Sequence, residues 1–401
     1  MDNTNSQILL LDDDPLACML LERQLANLGY HAVSKFDSGK AALSSLDDPA
    51  GRPVLILLDL NMPEMDGIEF VRHLVERRYT GSLILISGED ERMRQAVEKL
   101  VRAHKINILG HLPKPVQPGD LAALLSAWSP AAPGRPRAAK KAYAADELRA
   151  AIANGELVNY YQPKVAVADG AVVGVETLVR WQHPADGMVF PDQFIDLAEA
   201  SGLIDDLTRV VLSSALAQAR RWQDAGIFLK IAVNVSMDNL ATLDFADYVA
   251  TQAAASGIAP QDLVLEVTES RLMKDARAPL EILTRLRLKR FRLSIDDFGT
   301  GHSSLAQLCD IPFDELKIDQ SFSHRAWADQ TLRTMFNASL DLAQRLKIET
   351  VAEGIEDRAD WDFLRQTGCD TAQGYFIARP MPAADLPGWI EAWPARIAEE
   401  A

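Results

Sequence analysis

The chain has 401 residues, of which 48% are apolar and 24% charged, and its formal net charge is −16. That apolar share supports sizeable cores and excludes wholesale disorder. The acidic balance excludes nonspecific DNA binding, which needs a positive field. The length suits two or three domains, or one small domain and one barrel-sized one. Residues 1–7 lack the basic-then-apolar order of a signal peptide. Apolar runs such as 54–58 and 83–86 are far too short to span a bilayer, so the expectation is a cytoplasmic protein with no direct membrane insertion. Cys18, Cys309 and Cys369 form no Cys-x-x-Cys pair and read as small core hydrophobes in a reducing compartment.

The first apolar run, 8–11, stops at Asp12, Asp13 and Asp14. Asp14-Pro15 opens an amphipathic helix over 16–28, with Asp14 as its cap. Further runs at 54–58, 83–86 and 106–109 lead to Asp59, to Ser87-Gly88 and to Leu112-Pro113-Lys114-Pro115. Near-continuous apolar strands with helices between them predict a parallel sheet covered on both faces. Ligands of such sheets bind beyond the carboxyl ends of the strands. Three carboxylates at neighbouring strand ends repel one another unless a cation sits among them, and oxygen ligands point to magnesium. Such an ion would help stabilise a phosphoryl group on one of the aspartates. Lys114 would neutralise phosphate oxygens and Ser87 would donate a hydrogen bond to one.

Residues 129–145 are rich in Pro and Ala, carry four basic residues and no acid, and predict a linker. Net charge divides as −5 over 1–128, +4 over 129–145 and −15 over 146–401. Beyond the linker, strands are predicted at 157–161, 172–178, 229–235, 263–267, 292–295, 315–318, 349–351 and 371–376. Eight strands with helices between most of them predict a (β/α)8-type barrel. The short turn at 167–171, with Asp169-Gly170, makes the first pair a hairpin and breaks the all-parallel rule. Nearly every strand delivers a polar side chain at its end: Glu176, Asn234, Glu266 and Glu269, Asp296 and Asp297, Lys317 and Asp319, Glu353, Gln373. Such a ring in a cleft needs cations, and its oxygens suit Mg²⁺ or Mn²⁺. Adjacent Asp296-Asp297 could feed two metals, as in two-metal phosphoester hydrolysis, with Lys317 steering the water. Asp319 reads as structural. No Ser-His-Asp order, P-loop or His-Glu-x-x-His motif competes, and the scattered histidines argue against zinc.

The stretches LLLDDDP, LLDLNMPEMDG, LISG and LPKP resemble a receiver domain of bacterial two-component systems over about residues 5–127. The resemblance implies Asp59 as phosphoacceptor from a sensor histidine kinase. It further implies a Mg²⁺ site of Asp12, Asp13, Asp59 and the Asn61 backbone, with Ser87 and Lys114 sensing the phosphate. His111 stands where the family usually has an aromatic switch residue, and residues 92–108 lack the usual pattern leading into that strand.

Over about residues 146–390, YYQPKV, ETLVRW, NVS, LEVTES, DDFGTGHSSL, ELKID, VAEGIE and QGYFIARPM resemble the EAL family of cyclic-di-GMP phosphodiesterases. The whole chain is thus expected as an α/β protein: a doubly wound parallel-sheet receiver domain (1–128), the linker (129–145), and a modified (β/α)8 TIM-like barrel with one antiparallel strand (146–401). The resemblance implies hydrolysis to linear pGpG. It makes Glu176, Asn234, Glu266 and Asp296 ligands of one metal, and Asp297 and Glu353 neighbours of a second. Lys317 would help activate the water and Gln373 support the site. Glu269 would anchor the loop 297–304. Arg180 would contact a substrate phosphate, and Gln162, Pro163 and Leu178 would line the groove. Thr177 and His302 depart from the family pattern without removing a ligand. Family analogy adds homodimers or larger homo-oligomers through this domain and control of biofilm and motility. The alternative is a non-catalytic cyclic-di-GMP-binding effector. It ranks lower because every ligand and the lysine are present. A DNA-binding output has no basic recognition segment to support it.

Overall fold

The computed structural model describes residues 6–47, 53–77, 79–88, 97, 100–101, 106–128, 141–268, 277–299 and 311–399. The chain divides into two compact units, residues 1–140 and 141–401. Most of the expected linker, Cys309, Glu269 and His302 lie outside the described residues. Among the described residues no helix is long and apolar enough to cross a membrane.

The N-terminal unit holds five parallel strands, β1 (Ile8–Leu11), β2 (Val33–Phe36), β3 (Leu55–Asp59), β4 (Ser82–Ser87) and β5 (Asn107–Pro113), in the order β2-β1-β3-β4-β5. Alternate residues of one apolar strand feed opposite layers. Leu9, Leu11, Ile56, Leu58, Leu83 and Leu85 pack on one face, and Ile8, Leu10, Leu55, Leu57, Ile84 and Ile86 on the other. Strand β2 escapes the apolar-run signal because it is a half-buried edge with Ser34 and Lys35 exposed. The Asp14 carboxylate accepts from Leu16 N at 2.8 Å, capping the helix Pro15–Asn27. The helix Gly67–Glu76 starts with Asp66 accepting from Glu69 N at 2.7 Å. A Cβ on Gly67 would lie 2.9 Å from Asp59 O, so only glycine lets this helix seat against the end of β3, where Asp59 stands.

In the second unit, eight strands close into a ring: β6 (Leu157–Ala166), β7 (Val172–His183), β9 (Lys230–Val235), β10 (Leu263–Thr268), β11 (Arg292–Phe298), β12 (Glu315–Ile318), β13 (Glu349–Ala352) and β14 (Thr371–Ala372). Strand β6 runs antiparallel to both its neighbours, β7 and β14, and every other pair in the ring is parallel. The expected hairpin is present: Asp169 Oδ1 accepts from Ala171 N at 2.9 Å, and Gly170 takes φ 74°. Two short strands, β8 (Gly187–Val189) and β15 (Met381–Pro382), pair outside the ring.

Two sequence expectations need correction. Strand β7 does not stop near Glu176 but runs on to His183, because β8 pairs with its tail from Trp181 onward. Glu176 is therefore a mid-strand residue. The eighth strand ends at Ala372 rather than Phe376. There the backbone turns to bond the loop after β13, with Ile355 N donating to Gln373 O and Phe376 N to Ile355 O. A Cβ on Gly374 would fall 2.2 Å from Ile355 N and O, so glycine permits this crossing.

Candidate active site at the barrel mouth

The side chain of Lys317 is 1% exposed, and its ammonium stands among four carboxylates. Its Nζ lies 2.8 Å from Glu353 Oε1, 2.9 Å from Asp296 Oδ1, 3.3 Å from Glu266 Oε2 and 3.7 Å from Glu176 Oε2. The strand geometry explains the convergence. Lys317 sits on β12, Asp296 on β11, Glu266 on β10 and Glu176 on β7, and Glu353 directly follows β13. Burial would lower the lysine pKa, but Asp296, Glu176, Glu266 and Glu353 hold it well above the ordinary value.

Consecutive strand residues normally point to opposite faces. At Asp297 the backbone takes φ 55° and the β11–β12 register shifts between Ile295 and Phe298. This bulge breaks the alternation. Carboxylate oxygens of Asp296, Asp297 and Glu353 consequently lie within 4.8 Å of one another, a group able to hold a metal ion. Asp tolerates the left-handed region better than most residues, which fits its place here.

Neutral donors orient the remaining acid. Asn234 Nδ2 donates to Glu176 Oε1 at 2.9 Å, and Gln373 Nε2 to Glu176 Oε2 at 2.6 Å. Gln373 Nε2 also reaches Gln162 Oε1 at 3.0 Å, and Gln162 Nε2 donates to Ala378 O. Acid nevertheless exceeds base at the mouth. Burial pushes Glu353 up to about 8, with Lys317 opposing and Asp296 and Glu176 adding to the rise. Burial and then Asp296 push Asp297 up to about 6. Burial also raises Glu176. The set is all-oxygen, crowded and short of positive charge, which fits a divalent cation.

A cleft of about 270 Å³ opens over these groups, lined among others by Gln162, Glu176, Leu178, Asp297, Glu353 and Gln373. Asp319 also lines it, while its carboxylate caps the next helix by accepting from Ser321 N at 2.9 Å. An apolar pocket of about 350 Å³ adjoins Leu178 and Asn234, walled by Ile195, Leu207, Thr208 and Val211. Arg180 stands further out on β7, its guanidinium 5.7 Å from the Tyr160 ring and 5.2 Å from the Phe190 ring. Pro163 is buried opposite Val175 and alternates away from Gln162, so it is not brought to the cleft wall. Sequence reasoning missed Lys164, whose Nζ meets Glu266 Oε1 at 2.7 Å and Glu315 Oε1 at 3.1 Å. Its place two residues after Gln162 on a strand was the signal for it.

The N-terminal unit gathers a smaller acidic corner. Oxygens of Asp12, Asp13 and Asp59 lie within 4.8 Å of one another, with Asp12 and Asp59 buried and Asp13 exposed. Lys114 Nζ reaches Asp12 Oδ2 at 2.9 Å and Asp59 Oδ2 at 2.8 Å, with 32% of its side chain exposed. Asn61 N donates to Asp59 Oδ1 at 3.3 Å. Burial raises the Asp59 pKa, Lys114 pulls it down and Asp12 raises it again. Ser87 is fully buried at the end of β4, and among the described residues its Oγ has no hydrogen-bond partner. His111 is half-buried on β5.

A parallel sheet with an acidic, lysine-bearing corner and a barrel with an acidic mouth together define a two-part α/β protein. The EAL domain family model matches residues 145–380, and the response regulator receiver domain model matches residues 8–126. The chain belongs to the EAL domain family and carries a receiver domain ahead of that domain. The cyclic di-GMP phosphodiesterase RocR of Pseudomonas aeruginosa is 33% identical over 94% of this chain and 96% of its own length. The bifunctional diguanylate cyclase/cyclic di-GMP phosphodiesterase MucR of the same organism is 42% identical over 60% of this chain, but that match spans 35% of MucR. A solved structure of the PaMucR phosphodiesterase in complex with c-di-GMP superposes with a TM-score of 0.57 at 42% identity, covering 60% of this chain and 98% of that one.

Proposed function

We propose that the chain is a response regulator whose EAL domain (146–401) hydrolyses cyclic-di-GMP to linear pGpG, and whose receiver domain (1–128), joined by the linker 129–145, modulates that activity through phosphorylation of Asp59. The observation that carries the enzymatic reading is the intact ring of Glu176, Glu266, Asp296 and Glu353 around the buried Lys317 ammonium. The full-length likeness to a cyclic di-GMP phosphodiesterase supports the same substrate.

Glu176, Asn234, Glu266 and Asp296 would hold one Mg²⁺ or Mn²⁺, and Asp297 and Glu353 a second. When bound, such ions lower the pKa of the attacking water and stabilise charge on the phosphoryl oxygens. The chain's own groups do the rest. Lys317 orients the water and supplies a fixed positive charge beside the developing negative one. Gln373 and Asn234 hold Glu176 in a single orientation. Glu353 stands 2.8 Å from Lys317 and would share the second ion with Asp297. Arg180 meets a substrate phosphate, and Gln162 and Leu178 line the substrate groove. Glu269, which lies outside the described residues, would anchor the 297–304 loop. Water adds to phosphorus, the bond to the 3′-oxygen breaks, and that oxygen leaves with a proton.

In the receiver, the Asp59 carboxylate accepts the phosphoryl group from a sensor histidine kinase, and Asp12, Asp13, Asp59 and the Asn61 backbone would hold a Mg²⁺ that offsets the charge of the phosphoryl oxygens. Lys114 and Ser87 then bind the phosphate oxygens. The protein works in the cytoplasm as a homodimer or larger assembly. Incubating the purified full chain with cyclic-di-GMP and Mg²⁺ tests the enzyme: pGpG is the expected product, and binding without pGpG would establish a non-catalytic effector instead. Comparing wild type with Asp59→Asn, with and without a small-molecule phosphodonor, tests the coupling. A change in turnover confined to donor-treated wild type is expected, and identical responses would contradict it.

A further inference from the structure

The barrel interior of this protein is not apolar throughout. Below the mouth runs a column of alternating charge: Glu315, Lys164, Glu266 and then Lys317. All four side chains are almost wholly buried. Ser294 Oγ adds a hydrogen bond to Glu315 Oε1 at 3.0 Å. The column follows from strand alternation. Gln162 and Lys164 are two apart on β6, Ser294 and Asp296 on β11, and Glu315 and Lys317 on β12, so each pair stacks on one face with the second layer deeper.

Buried charges at this depth are costly unless paired, and an apolar filling would suffice for stability alone. The geometry at Glu266 shows what the pairing does. Its Oε1 is taken by Lys164 at 2.7 Å, whereas its Oε2 faces Lys317 at 3.3 Å. An ammonium flanks each side of the carboxylate, and only one of its oxygens is presented to the mouth.

We infer that Lys164 is a positioning residue for the metal centre: by occupying Glu266 Oε1 from below, it fixes Glu266 as a single-oxygen donor through Oε2. The inference rests on the reading of Glu266 as a metal ligand. A small cation with strict octahedral geometry gains from a ligand that is held to one oxygen and kept from swinging. Without Lys164, Glu266 is free to turn both oxygens toward Lys317, which competes with the metal for them.

The test uses the full chain and follows Mn²⁺ binding by the electron paramagnetic resonance of the free ion, alongside turnover against Mg²⁺ concentration. Lys164→Met strands two carboxylates and is expected to lose both thermal stability and Mn²⁺ affinity. Lys164→Met combined with Glu315→Gln removes one charge of each sign. It is expected to recover the melting temperature while its Mn²⁺ dissociation constant stays raised about 10- to 100-fold, the usual effect of losing an outer-shell partner. The half-saturating Mg²⁺ concentration rises in step, and turnover at saturating Mg²⁺ changes less. Glu315→Gln alone leaves Lys164 on Glu266 and should bind Mn²⁺ as wild type does. Wild-type Mn²⁺ binding in the double variant, or an equally weakened Glu315→Gln, overturns the inference. Glu266→Gln separates the two levels. Wild-type binding there defeats the ligand reading and this inference with it, whereas lost binding there beside wild-type binding in the double variant defeats this inference alone.

Discussion

Both units of this chain place a lysine ammonium among carboxylates, and they do so at different depths. Lys114 reaches two aspartates with 32% of its side chain exposed. Lys317 reaches four carboxylates with 1% exposed. The first corner lies at the carboxyl end of a sheet, with its lysine partly open to water. The second lies inside a barrel, where a cation is needed permanently because the carboxylates cannot be solvated. On the proposed reading, similar residue types thus serve a transient phosphoryl site in one setting and a fixed catalytic floor in the other.

The largest effect expected is on chemistry in the barrel. Glu176→Ala removes a ring member held by Asn234 and Gln373 and relieves acid crowding, so the fold should survive. Turnover of cyclic-di-GMP should fall by more than about 100-fold, beyond the range for outer-shell partners. Steady-state kinetics with circular dichroism checks both parts, and unchanged turnover would remove Glu176 from the site. Next comes the lysine contrast itself. Lys317→Met leaves Glu176, Asp296 and Glu353 without their cation, Glu266 keeping Lys164, and should cost about 3–5 kcal/mol in metal-free protein. Lys114→Met, where the lost ammonium is partly solvated and only two aspartates are stranded, should cost less than that. Denaturant melts of the separate variants with chelator present decide it, and equal costs would erase the difference in depth.

Much of this contrast was legible in the sequence, and the reasons are local. Apolar runs ending in Asp12, Asp59 and Ser87 marked the parallel strands and their ligand-bearing ends together, because a strand buried on both faces admits polar residues only where it stops. Motif text around Glu176, Asp296 and Lys317 did the same for the barrel. What escaped depends on distance and backbone. Strand β2 carries too little apolar residue to announce itself. The bulge that turns Asp297 toward Asp296 needs φ 55°, which no residue type encodes alone. Lys164 meets Glu266 and Glu315 across 102 and 151 positions of chain, so its role exists only once the barrel has closed.

The smallest expected effect is a pH dependence that separates the two corners by their need for a cation. In metal-free barrel Glu353 is pushed up to about 8 from an ordinary 4.5, and Asp297 up to about 6 from 3.8. The folded state therefore keeps protons that the unfolded chain has already released. Stability must then fall as pH rises between the unfolded and folded values, from about 4.5 toward 8. A divalent cation displaces those protons and removes the penalty, so its stabilising effect should grow over the same window. The melting-temperature increase on adding Mg²⁺ is expected to be larger at pH 8 than at pH 6. In Glu353→Gln the difference should shrink, because the group with the most raised pKa is gone. An increase of equal size at both pH values in wild type would mean that the mouth is not acid-rich in solution, and the contrast with the solvent-screened corner at Lys114 would lose its basis.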